Sequence, residues 1–397
     1  MDITIYPGKL TGTVQIIPSK SQAHRLLICA AFANQNTEII CTDTNADIDA
    51  TVDCLNALGA EIQRTKLGFL IKPAKDIPKE ATPHCRESGS TLRFLLPIVG
   101  ALGVDATFQM EGRLPERPLS PLKEEMERMG CKITRPTPET ILCQGRLVPG
   151  VYAIDGSVSS QFISGLMFAL TLLNDQCSLE ITGKIESKPY IQMTYDALTR
   201  FGAKVNGNIY SPSLPLKSPG RVTVEGDWSN GAFFLAGNAL GSSIAIQGLQ
   251  EHSHQGDRAC AEILASEGAI EISAADIPDL VPVLSVVAAA KSGGTFADIG
   301  RLRLKESDRV ASTIAMLKEL GVQAEVNDNT LYISPGQLTG GTIHSQNDHR
   351  IAMSAAIAAT VANGPVTILN AECVSKSYPQ FWEVYKALGG NYEQHIR

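Results

Sequence analysis

The chain, 397 residues long, lacks most of the features that assign a function quickly, and each absence narrows the choice. Basic residues are not in excess. Lys and Arg number 34 against 41 Asp and Glu, a net charge of −7, which argues against nucleic acid or an anionic membrane as the main partner. It does not argue against a local cationic pocket. No uncharged apolar run reaches the length that crosses a bilayer. Met1-Asp2-Ile3-Thr4-Ile5-Tyr6-Pro7 has neither the basic nor the apolar region of a secretion signal. The nine cysteines are scattered singly, odd in number and without a CxxC pair. Neither a disulfide framework nor a zinc site is signalled, and most read as small buried apolar residues in a reducing cytoplasm. GxxxxGK[ST], GxGxxG after a strand and GxSxG are all missing, so nucleotide hydrolysis, nicotinamide chemistry and acyl-serine chemistry have no support. Aromatics are few at 6%, while 44% of residues are hydrophobic, which suits an α/β protein too long for one core.

What the chain does have is a repeated phrase. Six amphipathic stretches end on a glycine: Leu58-Gly59-Ala60, Met129-Gly130-Cys131, Phe201-Gly202-Ala203, Glu267-Gly268-Ala269, Leu320-Gly321-Val322 and Leu388-Gly389-Gly390. Glycine suits the left-handed residue that follows a helix because it has no Cβ. The glycines recur 53 to 72 residues apart, so the chain is built from copies of one unit. Each capped helix has one apolar stripe, as in Ser307–Leu320, where Val310, Ile314, Leu317 and Leu320 fall near a 3.6-residue period.

Before each of these lies a second kind of helix, apolar nearly all round. The six are Leu26–Ala33, Leu92–Leu102, Phe162–Leu173, Ala232–Leu240, Leu280–Ala290 and Ile351–Val361. A helix without a polar face is buried. Short strand-like runs such as Thr37–Thr42, Ser178–Thr182 and Val366–Leu369 lie between the helices. The predicted unit is therefore strand, buried helix, strand, outer helix, strands, repeated six times. The turn-rich Ser211–Pro219 divides the copies into two groups of three, with a hinge near Asp227.

Polar chemistry collects where the buried helices begin. The openings read Pro18-Ser19-Lys20-Ser21, Ser88-Gly89-Ser90-Thr91-Leu92-Arg93, Ser157-Val158-Ser159-Ser160-Gln161, Ile277-Pro278-Asp279 and Asn347-Asp348-His349-Arg350. Two outer-helix openings, Lys305–Arg309 and Ser375-Lys376-Ser377, and the loop Glu111–Pro118 are of the same kind. Helix N-termini offer unbonded N–H groups and a partial positive charge, which suits phosphates and carboxylates. Taken singly, Ser159 and Ser307 read as ordinary N-caps. Arg93 and Arg350 do not read as surface residues. Each abuts a helix that must be buried, so each needs an anion from the protein or from a ligand. His349 reads equally as a structural or a site residue. His252, His254 and Asp257 read as a polar loop rather than a metal site, since no second ligand cluster accompanies them. The fourth opening, Ser229-Asn230-Gly231, shows no charged group and reads as a hinge.

These motifs, in this order, resemble the enolpyruvyl transferases over nearly the whole chain. Within that family they are most similar to the branch that acts on shikimate 3-phosphate. The marks are Pro18–Ser21 with Arg25, Gly89 with Arg93, Glu116-Arg117-Pro118, Gly156–Gln161, Ser187-Lys188-Pro189-Tyr190, Val224–Asp227, Gln255-Gly256-Asp257, Ile277–Asp279, Lys305–Arg309, Asn347–Arg350 and Lys376. The resemblance implies a two-domain inside-out α/β barrel of six βαβαββ repeats, three per domain. Residues 1–18 with 229–397 would form one domain and 19–228 the other, with the active site in the cleft between them.

The resemblance also implies roles. Lys20, Ser21, Arg25, Ser159, Ser160, Gln161, Ser187, Tyr190, Asp279 and Lys305 would bind shikimate 3-phosphate. Lys20, Gly89, Arg117, Gln161, Arg309, Arg350 and Lys376 would cradle phosphoenolpyruvate. Lys20, Asp279 and Glu306 would be catalytic, with Asp279 the base for the attacking hydroxyl, since a base must lie within hydrogen-bond reach. That chemistry requires no metal or organic cofactor, and the expected state is a monomer. Three positions depart from the family pattern: Glu87 stands in place of Asn, Phe94 in place of Pro, and Arg301 where Asn often contacts the shikimate phosphate. Two rival functions stay open: transfer of the same enolpyruvyl group to UDP-N-acetylglucosamine, and anion binding without catalysis.

Overall fold

In the computed structural model, which describes residues 1–395, the six apolar segments are helices, and all but the fifth begin earlier than the apolar run. The inner helices are α1 (Lys20–Ala31), α3 (Gly89–Leu102), α5 (Ser160–Leu172), α7 (Trp228–Ala239), α9 (Val281–Ala290) and α11 (His349–Ala359). In most of them the polar opening has joined the first turn, so Lys20, Gly89, Ser160 and Arg350 are helical residues. The outer helices are α2 (Ala46–Ala57), α4 (Leu122–Arg128), α6 (Lys188–Arg200), α8 (Ala259–Ala265), α10 (Arg309–Glu319) and α12 (Phe381–Ala387). Gly59, Gly130, Gly202, Gly268, Gly321 and Gly389 all have positive φ, between 70° and 111°, as the helix-ending reading requires.

Five four-stranded sheets share one pairing scheme. An outer strand pairs in parallel with the next, which then pairs antiparallel with a strand of an antiparallel pair. That pair is a hairpin in four of the sheets, and in the fifth it joins Asp2–Tyr6 to Asn391–His395. Val151–Asp155 runs parallel to Cys177–Thr182, and the hairpin Lys204–Asn206 with Ile209–Ser211 completes that sheet. The copies are not equal, however. The sixth sheet has only two described strands, Thr11–Gln15 and Ser243–Gln247, paired in parallel. Alternation along the strands places one face on the helices, as in Val151–Asp155, where Tyr152 and Ile154 are buried and Val151, Ala153 and Asp155 are exposed.

The chain separates into two compact units. One comprises Met1–Ile17 and the chain from Gly226 onward; the other is Pro18–Glu225. Each has its own apolar core. In the Pro18–Glu225 unit α3 runs along α5, while α1 packs on α2 and α6. In the other unit α7, α9 and α11 pack on one another. Buried side chains on all faces of these helices, such as Leu95, Ile98, Val286 and Ile357, each contribute about 2 kcal/mol through removal from water. That burial outweighs the poor helix propensity of Pro97, Gly100 and Gly165. All nine cysteines are buried thiols, as their scattered placement suggested.

Candidate active site

In the Pro18–Glu225 unit three inner helices open with the same device. Ser19, Ser88 and Ser159 precede α1, α3 and α5 in extended conformation, and their hydroxyls accept from Gln22 N, Thr91 N and Gln161 N. Lys20, the first residue of α1, lies 2.8 Å from Asp47 on α2. The Ser159 cap follows the sequence reading. Ser307 does not: Asp308 caps α10, and the Ser307 hydroxyl instead donates to Asp348 at 3.0 Å.

Four cations and a glutamine organise these openings. Arg25, 2% exposed, donates from Nε to Thr194 Oγ1 (2.7 Å), from Nη1 to the Ser21 carbonyl (2.6 Å), and from Nη2 to the Tyr190 carbonyl (2.9 Å). Its guanidinium also sits 5.0 Å from the Phe94 ring centroid, so the departure at position 94 gives Arg25 an aromatic face. Burial lowers the Arg25 pKa to about 10. Arg93, one turn into α3, donates to Gln161 Oε1 (2.8 Å) and to the Pro118 carbonyl (3.0 Å). Gln161 passes the link on by donating to Ser90 Oγ at 2.8 Å. One arginine thus ties together the openings of α3 and α5 and the Arg117–Pro118 loop.

Gly89 stands where a Cβ would collide with the Arg117 guanidinium, so glycine lets that cation pack directly on the α3 opening. The Arg117 side chain has no hydrogen bond or ion pair among the described residues, and its Nε is buried. A cation left unpaired beside a helix N-terminus is prepared for an anion. Glu87 packs against Gly112, where a Cβ would strike its carboxylate. Ser187 precedes α6 in the left-handed region at φ 55°, a strained conformation of the kind that collects at functional sites.

The other unit meets charge with charge. Asp279 lies 2.5 Å from Arg309 Nη1, 3.1 Å from Arg350 Nη2 and 3.6 Å from Lys305 Nζ. Arg309, 1% exposed, reaches three carboxylates: Asp279, Glu306 and the fully buried Asp348, the last at 2.8 Å from Nε. Asp348 is also the N-cap of α11, accepting from Arg350 N at 3.0 Å. Lys376 Nζ donates to the Asn347 carbonyl at 3.1 Å. Burial alone would raise the Asp279 pKa, but Arg350, Lys305 and Arg309 together hold it well below the usual carboxylate range. Burial brings Lys305 down to about 8, against the pull of Asp279.

The opening of α7 corrects its reading as a charge-free hinge. Asp227 is the N-cap, and the buried Asp257 accepts from the Ser229 hydroxyl. Burial, reinforced by Asp279, pushes the Asp257 carboxyl up to about 7. In sequence Asp257 stood out beside His252 and His254 and in the mark Gln255-Gly256-Asp257, with no role of its own. Asp47 and Asp348 were also missed as ion-pair partners, because an acid near a helix start carries no mark beyond that of a cap or a dipole complement. Asp279, Lys305, Glu306, Arg309, Arg350 and the Asn347–Lys376 link thus gather in one unit. Lys20, Ser21, Arg25, Gly89, Arg117, Ser159, Ser160, Gln161, Ser187 and Tyr190 belong to the other.

Residues 5–276 and 267–385 match the family described as EPSP synthase (3-phosphoshikimate 1-carboxyvinyltransferase). The 3-phosphoshikimate 1-carboxyvinyltransferase of Clostridium kluyveri is 38% identical over 99% of this chain and 98% of that protein. Its counterpart from Clostridium perfringens is 40% identical over 98% of each. Among solved structures, an EPSP synthase from Acinetobacter baumannii shares the fold with a TM-score of 0.80 at 23% identity, covering 99% of this chain and 100% of that one.

Proposed function

The chain belongs to the EPSP synthase family, and from that premise we propose that it transfers the enolpyruvyl group of phosphoenolpyruvate to the 5-hydroxyl of shikimate 3-phosphate. Phosphate is released, and the product feeds aromatic amino-acid biosynthesis through the shikimate pathway. The observation that carries this reading is the near full-length identity to proteins of that activity, with the family's ordered motifs spread over both units. The assignment of substrates to residues of both units together rests on those motifs.

In the addition step the O5–C2 bond forms, the hydroxyl proton leaves and C3 gains a proton. In the elimination step the C2–O bond to phosphate breaks and C3 returns a proton. Lys20, Arg117 and the α1 and α3 openings supply positive potential for the phosphate, and each well-placed donor is worth about 3 kcal/mol of transition-state stabilisation. Asp279 is a weak base while three cations hold it. A bound phosphate and carboxylate that draw off Arg309 and Arg350 would weaken that hold and raise its basicity where the hydroxyl must be deprotonated. Glu306, tied to Arg309, is released by the same exchange to move a proton at C3.

The test is phosphate release from phosphoenolpyruvate with shikimate 3-phosphate or with UDP-N-acetylglucosamine. Release with the sugar nucleotide alone would reject the substrate, and no release with either would favour anion binding without catalysis. Lys20→Ala and Glu306→Ala are expected to lose turnover by about a thousandfold with secondary structure intact. Wild-type rates in both would remove their roles.

A further inference from the structure

A buried hydrogen-bonded chain in the Pro18–Glu225 unit takes no direct part in that chemistry. His24 Nδ1 lies 2.7 Å from Thr51 Oγ1, Thr51 Oγ1 lies 2.7 Å from Thr91 Oγ1, and Thr91 Oγ1 lies 2.7 Å from Ser88 Oγ. All four side chains are buried. They come from α1, from α2, and from the opening of α3, the elements that also carry Lys20, Asp47 and Gly89.

Proton counting gives the chain a direction. Each hydroxyl has one proton to donate. Thr91 donates its proton to Ser88, whose oxygen also accepts from Thr91 N at 3.3 Å. The alternative acceptor, the Asp47 carbonyl at 3.5 Å, is too distant to compete. Thr51 must then donate to Thr91, and it can only accept from His24. The imidazole therefore carries its proton on Nδ1. Its Nε2 is buried without a hydrogen-bond partner, and the ring packs edge-on to Phe94, with centroids 6.4 Å apart. Burial lowers the His24 pKa to about 3, with Asp47 opposing, so the ring stays neutral at working pH.

We propose that His24, in the Nδ1–H tautomer, is a positioning residue for the phosphoenolpyruvate end of the site. Through Thr51 and Thr91 it fixes Ser88, and with it the α3 opening where Gly89 meets Arg117. The name of the anion rests on the enolpyruvyl transfer reading; the hydrogen-bonded chain does not. Because the Arg117 guanidinium packs directly on Gly89, a shift of the α3 opening displaces its N–H groups and alters the seat of Arg117 together. A misplacement of about 1 Å can cost on the order of a hundredfold in rate. A neutral chain performs this alignment without adding charge beside Lys20.

Protein labelled with 15N-histidine tests the tautomer, with His24→Asn identifying the signal. The expected spectrum shows a protonated Nδ1 and a bare Nε2 from pH 5 to 9; an Nε2–H tautomer, or titration in that range, overturns the proposal. His24→Asn, which keeps a donor near the place of Nδ1–H, is expected to hold KM for phosphoenolpyruvate within about twofold. His24→Phe and Thr51→Val cut the chain at different links and are expected to raise it about tenfold or more, with KM for shikimate 3-phosphate moving less than about twofold. An unchanged KM for phosphoenolpyruvate in both, or equal rises for both substrates, overturns the positioning role. Absence of turnover in the wild type would instead reject the reaction assignment, leaving the tautomer measurement to decide the chain.

Discussion

In the Pro18–Glu225 unit Lys20 is paired with Asp47, but Arg25 donates to two hydroxyls and two peptide carbonyls, Arg93 donates to an amide and a peptide carbonyl, and the Arg117 side chain has no hydrogen bond or ion pair among the described residues. In the other unit Arg309 faces Asp279, Glu306 and Asp348, and Arg350 shares Asp279. Arg117 is half-buried and the other four arginines are buried, but the electrostatic states of the two sets differ. A cation held by dipoles keeps most of its potential for an incoming anion. A cation held by carboxylates keeps little, since one pair at 4 Å is worth about 4 kcal/mol at an effective dielectric of 20. The first arrangement is a receptor ready for phosphate. The second is a set of internal ion pairs that a ligand must exchange, and that exchange can turn Asp279 and Glu306 from held anions into working bases.

The largest effect should come from breaking the ion-pair network. Arg309→Met leaves Asp348 and Asp279 without their shared cation, and should cost about 3–5 kcal/mol of stability. Arg117→Met, its counterpart in the receptor, should change stability by less than about 0.5 kcal/mol while raising KM for phosphoenolpyruvate about a hundredfold. Denaturant unfolding and steady-state kinetics on both variants check the pair. Equal stability losses would erase the distinction between the units.

A smaller effect concerns Lys305. Its pKa of about 8 means that the cation is present below that pH and lost above it. Affinity for shikimate 3-phosphate should therefore fall about tenfold between pH 7 and 9, measured by calorimetry. A flat profile would remove Lys305 from the binding set.

The smallest effect concerns Asp257, whose folded-state pKa is raised, so folding favours its protonated form. The stability it lends at low pH is lost as pH rises from about 4 toward 7, and above that the folded state carries an ionised buried carboxylate. Asp257→Asn should raise the melting temperature by a few degrees at pH 8 and leave it nearly unchanged at pH 4. A rise at both would assign the gain to packing rather than to charge.

The local pattern was enough for the repeat. Helices lacking a polar face, the six glycines and the residue types at each opening follow from short-range rules of burial, capping and left-handed backbone, and the structure keeps them within a few residues. The inequality of the copies was not legible, because the phrase around Gly268 looks like the others although its repeat has no described hairpin in its sheet. Nor was the partner of any charged side chain. Lys20 finds Asp47 27 positions away, Arg309 finds Asp348 39 away and Arg350 finds Asp279 71 away. A helix opening announces that an anion or a cation is wanted, since its N–H groups and dipole are local. Which opening faces which is settled by the packing of the inner helices within each unit. The sequence by itself determined where charge would collect. The tertiary structure decided that in one unit the Arg117 side chain is left without a partner among the described residues, while in the other Arg309 and Arg350 are matched to carboxylates, because only folding brings residues so far apart in the chain within about 3 Å.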